Sequence, residues 1–319
     1  MRTLLEGVGA YLPERIVSND ELAARIDTSD AWIRERTGIA QRHIAAPHET
    51  ATFMGAEAAR RALAAAGAEV GAVDAIIVAT STPDQGFPAT AVSIQGALGV
   101  TQGFAFDISA ACSGFVYALS IADGMIRARQ CRGVLVIGTE VYSRLLNWQD
   151  RGTCVLFGDG AGAVLLRATD QGGPRGVIST HLHADGRLGD ILYVDGATGQ
   201  TGKSQHLVMN GREVFRHAVT KLAAAVDEAL DANGLVHADI DWLVPHQANR
   251  RIIDAMGKRL NLRPDQVVVT VERHANTSAA SIPLALAEAV QDGRIKPGHL
   301  VLLEALGGGL TWGSALVRF

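Results

Sequence analysis

The second half of this chain repeats its first, and that duplication restricts the possible folds more than any other feature. The Ala-rich segment AEAARRALAAAGAE at 56–69 precedes DAIIVA, as VTKLAAAVDEALDANGL at 219–235 precedes DWLVPH. GVLVIGTE from 133 is matched by GHLVLLEA, and GDGAGAVLLR from 158 by GSALVRF at the end. The offset is about 167 residues for the first pair and shrinks toward the end, so the repeat is a duplicated half and not an array of short units. In the first half, short β-branched runs (AIIVAT at 75–80, FAFDI at 104–108, GVLVIG at 133–138, GAVLL at 162–166) alternate with amphipathic Ala-rich segments. That is the pattern of an α/β protein whose sheets are covered on both faces. Two such halves, 1–170 and 171–319 with DQGGPRG near the join, place strand ends around one centre, and ligand sites in open α/β sheets lie at those ends.

Composition narrows the function classes. With 319 residues, 48% hydrophobic and 19% charged, the chain supports a large core. A net charge of -4 without a long basic run argues against nucleic acid as the main partner. The three cysteines, Cys112, Cys131 and Cys154, are an odd count without metal-like spacing, which suits a reducing cytoplasm and neither a disulfide framework nor a zinc site. MRTLLEGVGAYLPERIVSND contains a short strand, but its apolar stretch is too short for a signal-peptide core. No charge-free run approaches the ~20 residues of a membrane helix, so no membrane partner is expected.

Four segments carry candidate chemistry. In DISAACSGFV, Cys112 follows the strand-like FAFDI and opens a helical pattern through Phe115, Leu119, Ala122, Met125 and Ile126. A thiol at a helix start meets unpaired N–H groups and the positive end of the macrodipole, which favour thiolate, while tiny neighbours such as Gly114 let substrate and backbone approach closely. The same strand-turn-helix arrangement holds the nucleophile of hydrolases. The ordinary alternative is a buried thiol packed as a small hydrophobe. In WLVPHQANRR, His246 leaves a strand before a new helix, which also fits a histidine merely bonded at a strand end. In ERHANTSAAS, Asn276 sits in a loop where a capping or turn role is common. In EALGGGLTWGS, Gly307, Gly308 and Gly309 leave backbone amides bare, as in a hairpin turn or an oxyanion hole. Thiolate, a donor pair and an amide hole suffice for acyl transfer with enolate stabilisation.

AFDISAACSGF, VPHQANRRI, RHANTSAAS and EALGGGLTWGSALVRF closely resemble the motifs of β-ketoacyl-acyl-carrier-protein synthase III, the initiating condensing enzymes of type II fatty acid synthesis. The likeness covers essentially the whole chain, including TSDAWIRERTGI, DRGT, FGDGAGA and ISTHLHADG. It implies a thiolase-like α/β fold with a duplicated five-layer α-β-α-β-α architecture, a homodimer, and no metal or redox cofactor. By that resemblance Cys112 takes the acyl group of an acyl-CoA, acetyl-CoA foremost, and malonyl-acyl-carrier protein enters second. His246 and Asn276 then donate hydrogen bonds to the malonyl thioester oxygen, and the amides of Cys112 and Gly308 hold the oxyanion of transfer. Degradative thiolases carry a second cysteine as base where this chain has Ala305, and elongating synthases use two histidines, so the His246 and Asn276 pair fits the initiating type.

The same resemblance assigns coenzyme A to Trp32 and Arg151 around the adenine, Arg36 and Thr37 near the phosphates, and Asn249 along the pantetheine. Gln247, Ala248, Asn249, Arg250, Arg251 and Lys258 correspond to the docking segment for an acidic carrier protein. Phe87 matches a position that crosses the dimer into the neighbour's acyl pocket, and Leu306 and Leu310 replace phenylalanines of the best-known enterobacterial members, which leaves primer length open. From the residues alone, Trp32 and Phe87 read equally as packing and the basic helix face as solvated surface. FGDGAGA fails the dinucleotide fingerprint and reads as a tight turn, and HLHAD places His181 and His183 on one strand face near Asp185 without a further ligand in reach by sequence. Other readings are a related enzyme of quinolone or polyketide starter synthesis, a cysteine-dependent thioester hydrolase, and a non-catalytic carrier-binding module.

Overall fold

The computed structural model describes residues 1–195 and 205–319. The first half contains strands β1 (Arg2–Tyr11), β2 (Ile16–Ser18), β3 (Gln41–His43), β4 (Ala75–Ala79), β5 (Phe104–Ile108), β6 (Gly133–Val141) and β7 (Asp159–Thr169), with helices α1 (Asn19–Ala23), α2 (Asp30–Thr37), α3 (Ala51–Ala65), α4 (Thr90–Leu98) and α5 (Gly114–Arg127). The second contains β8 (Gly176–Ala184), β9 (Leu192–Val194), β10 (Leu207–Met209), β11 (Trp242–Pro245), β12 (Leu300–Gly307) and β13 (Thr311–Arg318), with α6 (Gly211–Asp231), α7 (Arg250–Arg259), α8 (Val271–His274) and α9 (Ser281–Gln291).

The duplication is visible in strand order. The first sheet runs β1-β7-β6-β4-β5, with β6, β4 and β5 parallel and β7 antiparallel to both neighbours. The second runs β8-β13-β12-β11 with the same directions, and the fifth place is reduced to one parallel bridge between Leu243 and Val267. Ile76 pairs with Leu135 as Leu243 pairs with Leu302, so the offset of about 167 residues is constant through β12. It falls only at β13, where a turn at 308–310 replaces the longer 142–158 connection.

Helices α3 and α4 cover one face of the first sheet, α6 and α7 one face of the second, and α5 and α9 lie between the sheets in contact with both. Every residue of β4 and β6 is buried, as strands covered on both faces require. Three apolar clusters fill the gaps between these five α-β-α-β-α layers.

Helix ends differ from the sequence expectation for local reasons. Helix α3 starts at Ala51 because the Thr50 hydroxyl accepts the Phe53 N–H, and α6 starts at Gly211 because Asn210 caps it in the same way. The expected tight turn at FGDGAGA is instead part of β7: a Cβ at Gly162 would lie 2.7 Å from the Leu284 backbone nitrogen, so these glycines admit α9 against the sheet. Among the described residues no helix is long and apolar enough to cross a membrane.

Candidate active site

Cys112 stands where β5 has ended and α5 has not begun. A single 3-10 turn, Ala111–Ser113, joins them, with Ala111 at φ 45. A side chain in that left-handed region costs roughly 1–2 kcal/mol, so the surroundings must hold it. The Thr311 hydroxyl does so from the other half, 2.8 Å from the Ser113 hydroxyl and 3.0 Å from the Ala110 carbonyl, while Ser113 Oγ donates to the same carbonyl at 2.7 Å. Gly307 of β12 passes directly beneath: a Cβ there would lie 2.6 Å from the Cys112 nitrogen. Of the two uses expected of Gly114, close approach of neighbouring chain is the one it serves: a Cβ there would meet those of Ala79 at 2.9 Å and Ala279 at 3.5 Å.

A second turn of the same form, Ser278–Ala280, precedes α9, with Ser278 at φ 49. It organises Asn276, whose Oδ1 accepts the Ser278 N–H at 2.9 Å, leaving the Nδ2 donors for the cavity that Asn276 borders. His246 follows β11 and packs its Nδ1 against Ser281 Oγ at 2.5 Å. Ser281 Oγ also accepts the Gln247 N–H at 3.2 Å and keeps one lone pair and one proton for Nδ1, so the bond to the imidazole runs in the direction its tautomer sets. In the tautomer that takes the Ser281 proton at Nδ1, the imidazole proton sits on Nε2 and His246 is a donor toward the cavity it lines.

Burial pushes the Cys112 thiol up to about 12, with the Glu140 carboxylate acting in the same direction and the Ser278 hydroxyl against it. The start of α5 contributes about 0.3–1 kcal/mol toward thiolate, at most ~2 kcal/mol. At 1.36 kcal/mol per pKa unit that is roughly one and a half units, too little to ionise such a thiol near neutrality. Burial holds the His246 imidazole down at about 3, hence neutral. Two buried carboxyls flank the site. Burial raises Glu140 to about 7 against donors from Thr82, Ser81 and Ser278. Glu304 rises to about 8 through burial alone, and neither of its oxygens has a partner among the described residues.

Cys112, His246, Asn276 and Gly308 border one cavity of about 1240 Å3 between the halves, and Ala248, Asn249, Arg251 and Leu306 border it too. Other predicted contacts stand elsewhere. Gln247 is wholly buried with its amide spent on Pro245 O, Val268 O and the N–H groups of Thr270 and Val271, so it locks the loop and offers nothing to a carrier protein. Thr37 is also turned inward, its hydroxyl donating to Ile33 O and accepting from Ile39 N, which removes it from any phosphate. Leu310 is buried in the core under α6 and does not border the cavity.

Trp32 has the guanidinium carbons of Arg36 and Arg151 at 4.6 and 4.7 Å from its ring centre. Asn249 caps α7 and donates to Arg36 O, joining that cluster to the cavity rim. Arg250 is paired with Asp254 and Glu272, whereas Lys258 is exposed. Phe87 is 87% exposed, not buried beside Pro88, and lies outside its own chain's cavity. His181 and His183 pair with Glu228 of α6, a partner the local spacing could not reveal; no cluster suited to a metal ion occurs among the described residues.

Sequence reading missed Ser278, Ser281, Glu140 and the cavity-lining Arg212 and Phe215. Ser278 and Ser281 stood inside the quoted ERHANTSAAS motif. The signal for Ser278 was its place about 167 residues after Ala111 in the repeat.

Comparison with known proteins matches residues 106–186 to the family model of 3-oxoacyl-[acyl-carrier-protein] synthase III and residues 230–319 to that of its C-terminal part. A β-ketoacyl-[acyl-carrier-protein] synthase III of Acidiphilium cryptum is 82% identical over 318 residues, covering 100% of this chain and 99% of that one. The one from Granulibacter bethesdensis is 68% identical, with 99% of each chain covered. Among solved structures, 3-oxoacyl-[acyl-carrier-protein] synthase III from Aquifex aeolicus superposes with a TM-score of 0.95 at 44% identity, covering 99% of this chain and 100% of the other. The priming β-ketosynthase of the R1128 polyketide pathway gives 0.92 at 39% identity, covering 99% and 96%. With whole-length relatives this similar and both family models matched, the chain belongs to the β-ketoacyl-acyl-carrier-protein synthase III family.

Proposed function

We propose that this chain catalyses decarboxylative condensation of an acyl-CoA primer, acetyl-CoA foremost, with malonyl-acyl-carrier protein, giving 3-oxoacyl-acyl-carrier protein, CoA and CO2 at the start of fatty acid synthesis. One observation carries the reading: a cavity bordered by a thiol, a glycine turn and two side chains whose hydrogen bonds leave donors facing inward. Cys112 Sγ attacks the primer thioester, and the Cys112 and Gly308 amides receive the oxyanion before CoA leaves. The malonyl thioester oxygen then accepts from His246 Nε2 and Asn276 Nδ2. Loss of CO2 puts the electron pair on that oxygen as an enolate, which attacks the acyl-Cys112 carbonyl and expels the thiolate. A neutral His246 suits this role, since it donates without first needing a proton from solvent.

Coenzyme A fits along Asn249 toward Arg36 and the Trp32–Arg151 pair, where Arg151 moves off the indole to admit the adenine. Exposed Arg251 and Lys258, with Arg250, Ala248 and Asn249 beside them, form the docking rim for an acidic carrier protein. Phe87 reaches a partner's pocket in a homodimer, and Leu306 bounds the primer. The division at about residue 170 fits the sheets ending at Thr169 and resuming at Gly176. The enzyme works in the cytoplasm without a cofactor. Mass spectrometry after incubation with acetyl-CoA should show an acetyl adduct on Cys112, and CO2 release should require malonyl-carrier protein. Folded protein that forms no adduct, or that frees acetate without malonyl-carrier protein, defeats the proposal in favour of a hydrolase. A primer panel from acetyl through branched and longer acyl-CoA separates fatty acid from polyketide-starter use.

A further inference from the structure

Burying a guanidinium is costly, and Arg42 of β3 is buried completely. Its donors go to two carbonyls and one amide: Val17 O at 3.2 Å, Val155 O at 2.9 Å and Asn19 Oδ1 at 2.8 Å. Asn19, the first residue of α1, is buried as well and passes the contact on. Its Nδ2 donates to Asp30 Oδ1 and to Ile39 O, both at 2.8 Å. Asp30 opens α2 and Ile39 follows its Gly38 cap, so one side-chain amide holds both ends of the helix that carries Trp32 and Arg36. Val155 belongs to the other side of the indole. It lies in a turn that Asp150 ties together, the carboxylate accepting from Gly152 N at 2.8 Å and Thr153 Oγ1 at 2.7 Å and the carbonyl from Thr153 N and Cys154 N. Arg151 stands in that turn, its guanidinium 4.7 Å from the Trp32 ring centre.

We propose that Arg42 and Asn19 are positioning residues for the nucleotide end of coenzyme A, setting the spacing between Trp32 on α2 and the Arg151 turn. Neither touches the ligand. Arg42 fixes the turn through Val155 O and reaches Asn19 through Oδ1, and Asn19 fixes α2 through Asp30 and Ile39. A base stacked between an indole and a guanidinium needs both faces held at one separation, and a hydrogen-bonded interior behind them supplies that stiffness. Arg151 also bonds Asp27 O at 2.8 Å ahead of α2, but that tie is made by the side chain that moves when the base enters, so it cannot set the width of the slot. The buried bracket stays in place whether the slot is filled or not.

The test is the second-order rate of Cys112 acetylation on the intact protein, followed by mass spectrometry with acetyl-CoA and, separately, with S-acetyl-pantetheine, which lacks the nucleotide. Asn19→Ala and Asp30→Ala should each lose about tenfold with acetyl-CoA, the size of one weakened stacking contact, and stay within about twofold of wild type with acetyl-pantetheine. Asp30→Asn, whose amide oxygen still accepts from Asn19, should match wild type with both. An equal loss on the two primers marks a merely structural role and overturns the proposal, as does a folded Asn19→Ala protein that keeps the wild-type rate with acetyl-CoA. Should Asn19→Ala fail to fold, Asp30→Ala and Asp30→Asn decide in the same way. Because this role rests on the coenzyme A reading above, Trp32→Ala is run in parallel. Wild-type protein that acetyl-CoA does not label removes the acyl-transfer reading, and a Trp32→Ala protein that reacts with acetyl-CoA as wild type does removes the adenine site. A Trp32→Ala loss confined to acetyl-CoA, beside Asn19 and Asp30 variants that keep the wild-type rate, removes only the bracket.

Discussion

The turns at Ala111–Cys112 and Ser278–Ala279 occupy the same place in two copies of one half. The first follows β5 and the second follows α8, each opens a helix of the middle layer, and each holds a Cβ-bearing residue at φ 45 or 49. They differ in where the reactive atom sits: the first carries it after the strained residue, as the Cys112 thiol, and the second on the strained residue itself, as the Ser278 hydroxyl. Duplication therefore supplied the backbone twice, and chemistry was divided between the copies. One turn presents the nucleophile; the other orients Asn276 through its N–H and reaches Glu140 through its hydroxyl.

The sharpest way to erase this difference is Cys112→Ala, which makes the first turn match Ala279. Acyl transfer should fall by about 10^4-fold or more, with no acetyl adduct. The thermal midpoint should stay close to wild type, since the second turn already holds alanine in that conformation. The donor side comes next. His246→Ala should slow malonyl-dependent CO2 release by about 10^2–10^3-fold. Ser281→Ala, which frees the imidazole to choose its tautomer, should slow it about tenfold and leave Cys112 acetylation unchanged.

The crossings beneath the turns give a smaller contrast. Gly138 of β6 underlies the second turn, where a Cβ would lie 2.2 Å from Ala279 O, as Gly307 underlies the first. Alanine at either should cost about 1–3 kcal/mol in denaturant unfolding. Gly307→Ala should also slow acetylation more than Gly138→Ala, because it displaces the Cys112 nitrogen.

The two buried carboxyls differ least in energy but in a diagnostic direction. Glu304 is raised from its ordinary 4.5 to about 8, so the stability it permits is fully present below 4.5 and is lost as pH rises through about 8. Glu304→Gln should thus match wild type at pH 4 and become the more stable protein in denaturant unfolding as pH rises through about 8. Glu140→Gln should gain less there, because one amide oxygen cannot accept from Thr82, Ser81 and Ser278 as the two carboxylate oxygens do.

Strand positions were legible because runs such as FAFDI and AIIVAT are short and rich in β-branched and aromatic residues, and β5 coincides with its sequence run. The meeting of Cys112, His246 and Asn276 at one cavity was legible because each sits at a strand or helix boundary, where local signals and motif resemblance agree. Gln247 and Thr37 were misread for a common reason: polarity in sequence does not distinguish a side chain facing a ligand from one satisfying backbone groups behind the site. Glu140 and Ser281 went unnoticed because their meaning comes from partners about 138 and 35 residues away.

The bare crossings at Gly138 and Gly307 also bear on how the molecule is assembled. Helices α5 and α9 fill the space between the sheets, and each half closes its reactive turn against the other's backbone. A half released by itself would expose the face that should be its interior and would lack the strand that fixes its own turn. Folding should therefore end in a single late docking step, and co-expressed fragments split near residue 170 should recover a competent thiol only by associating. The two copies arose as repeats, but they can no longer be inherited, unfolded or redesigned one at a time.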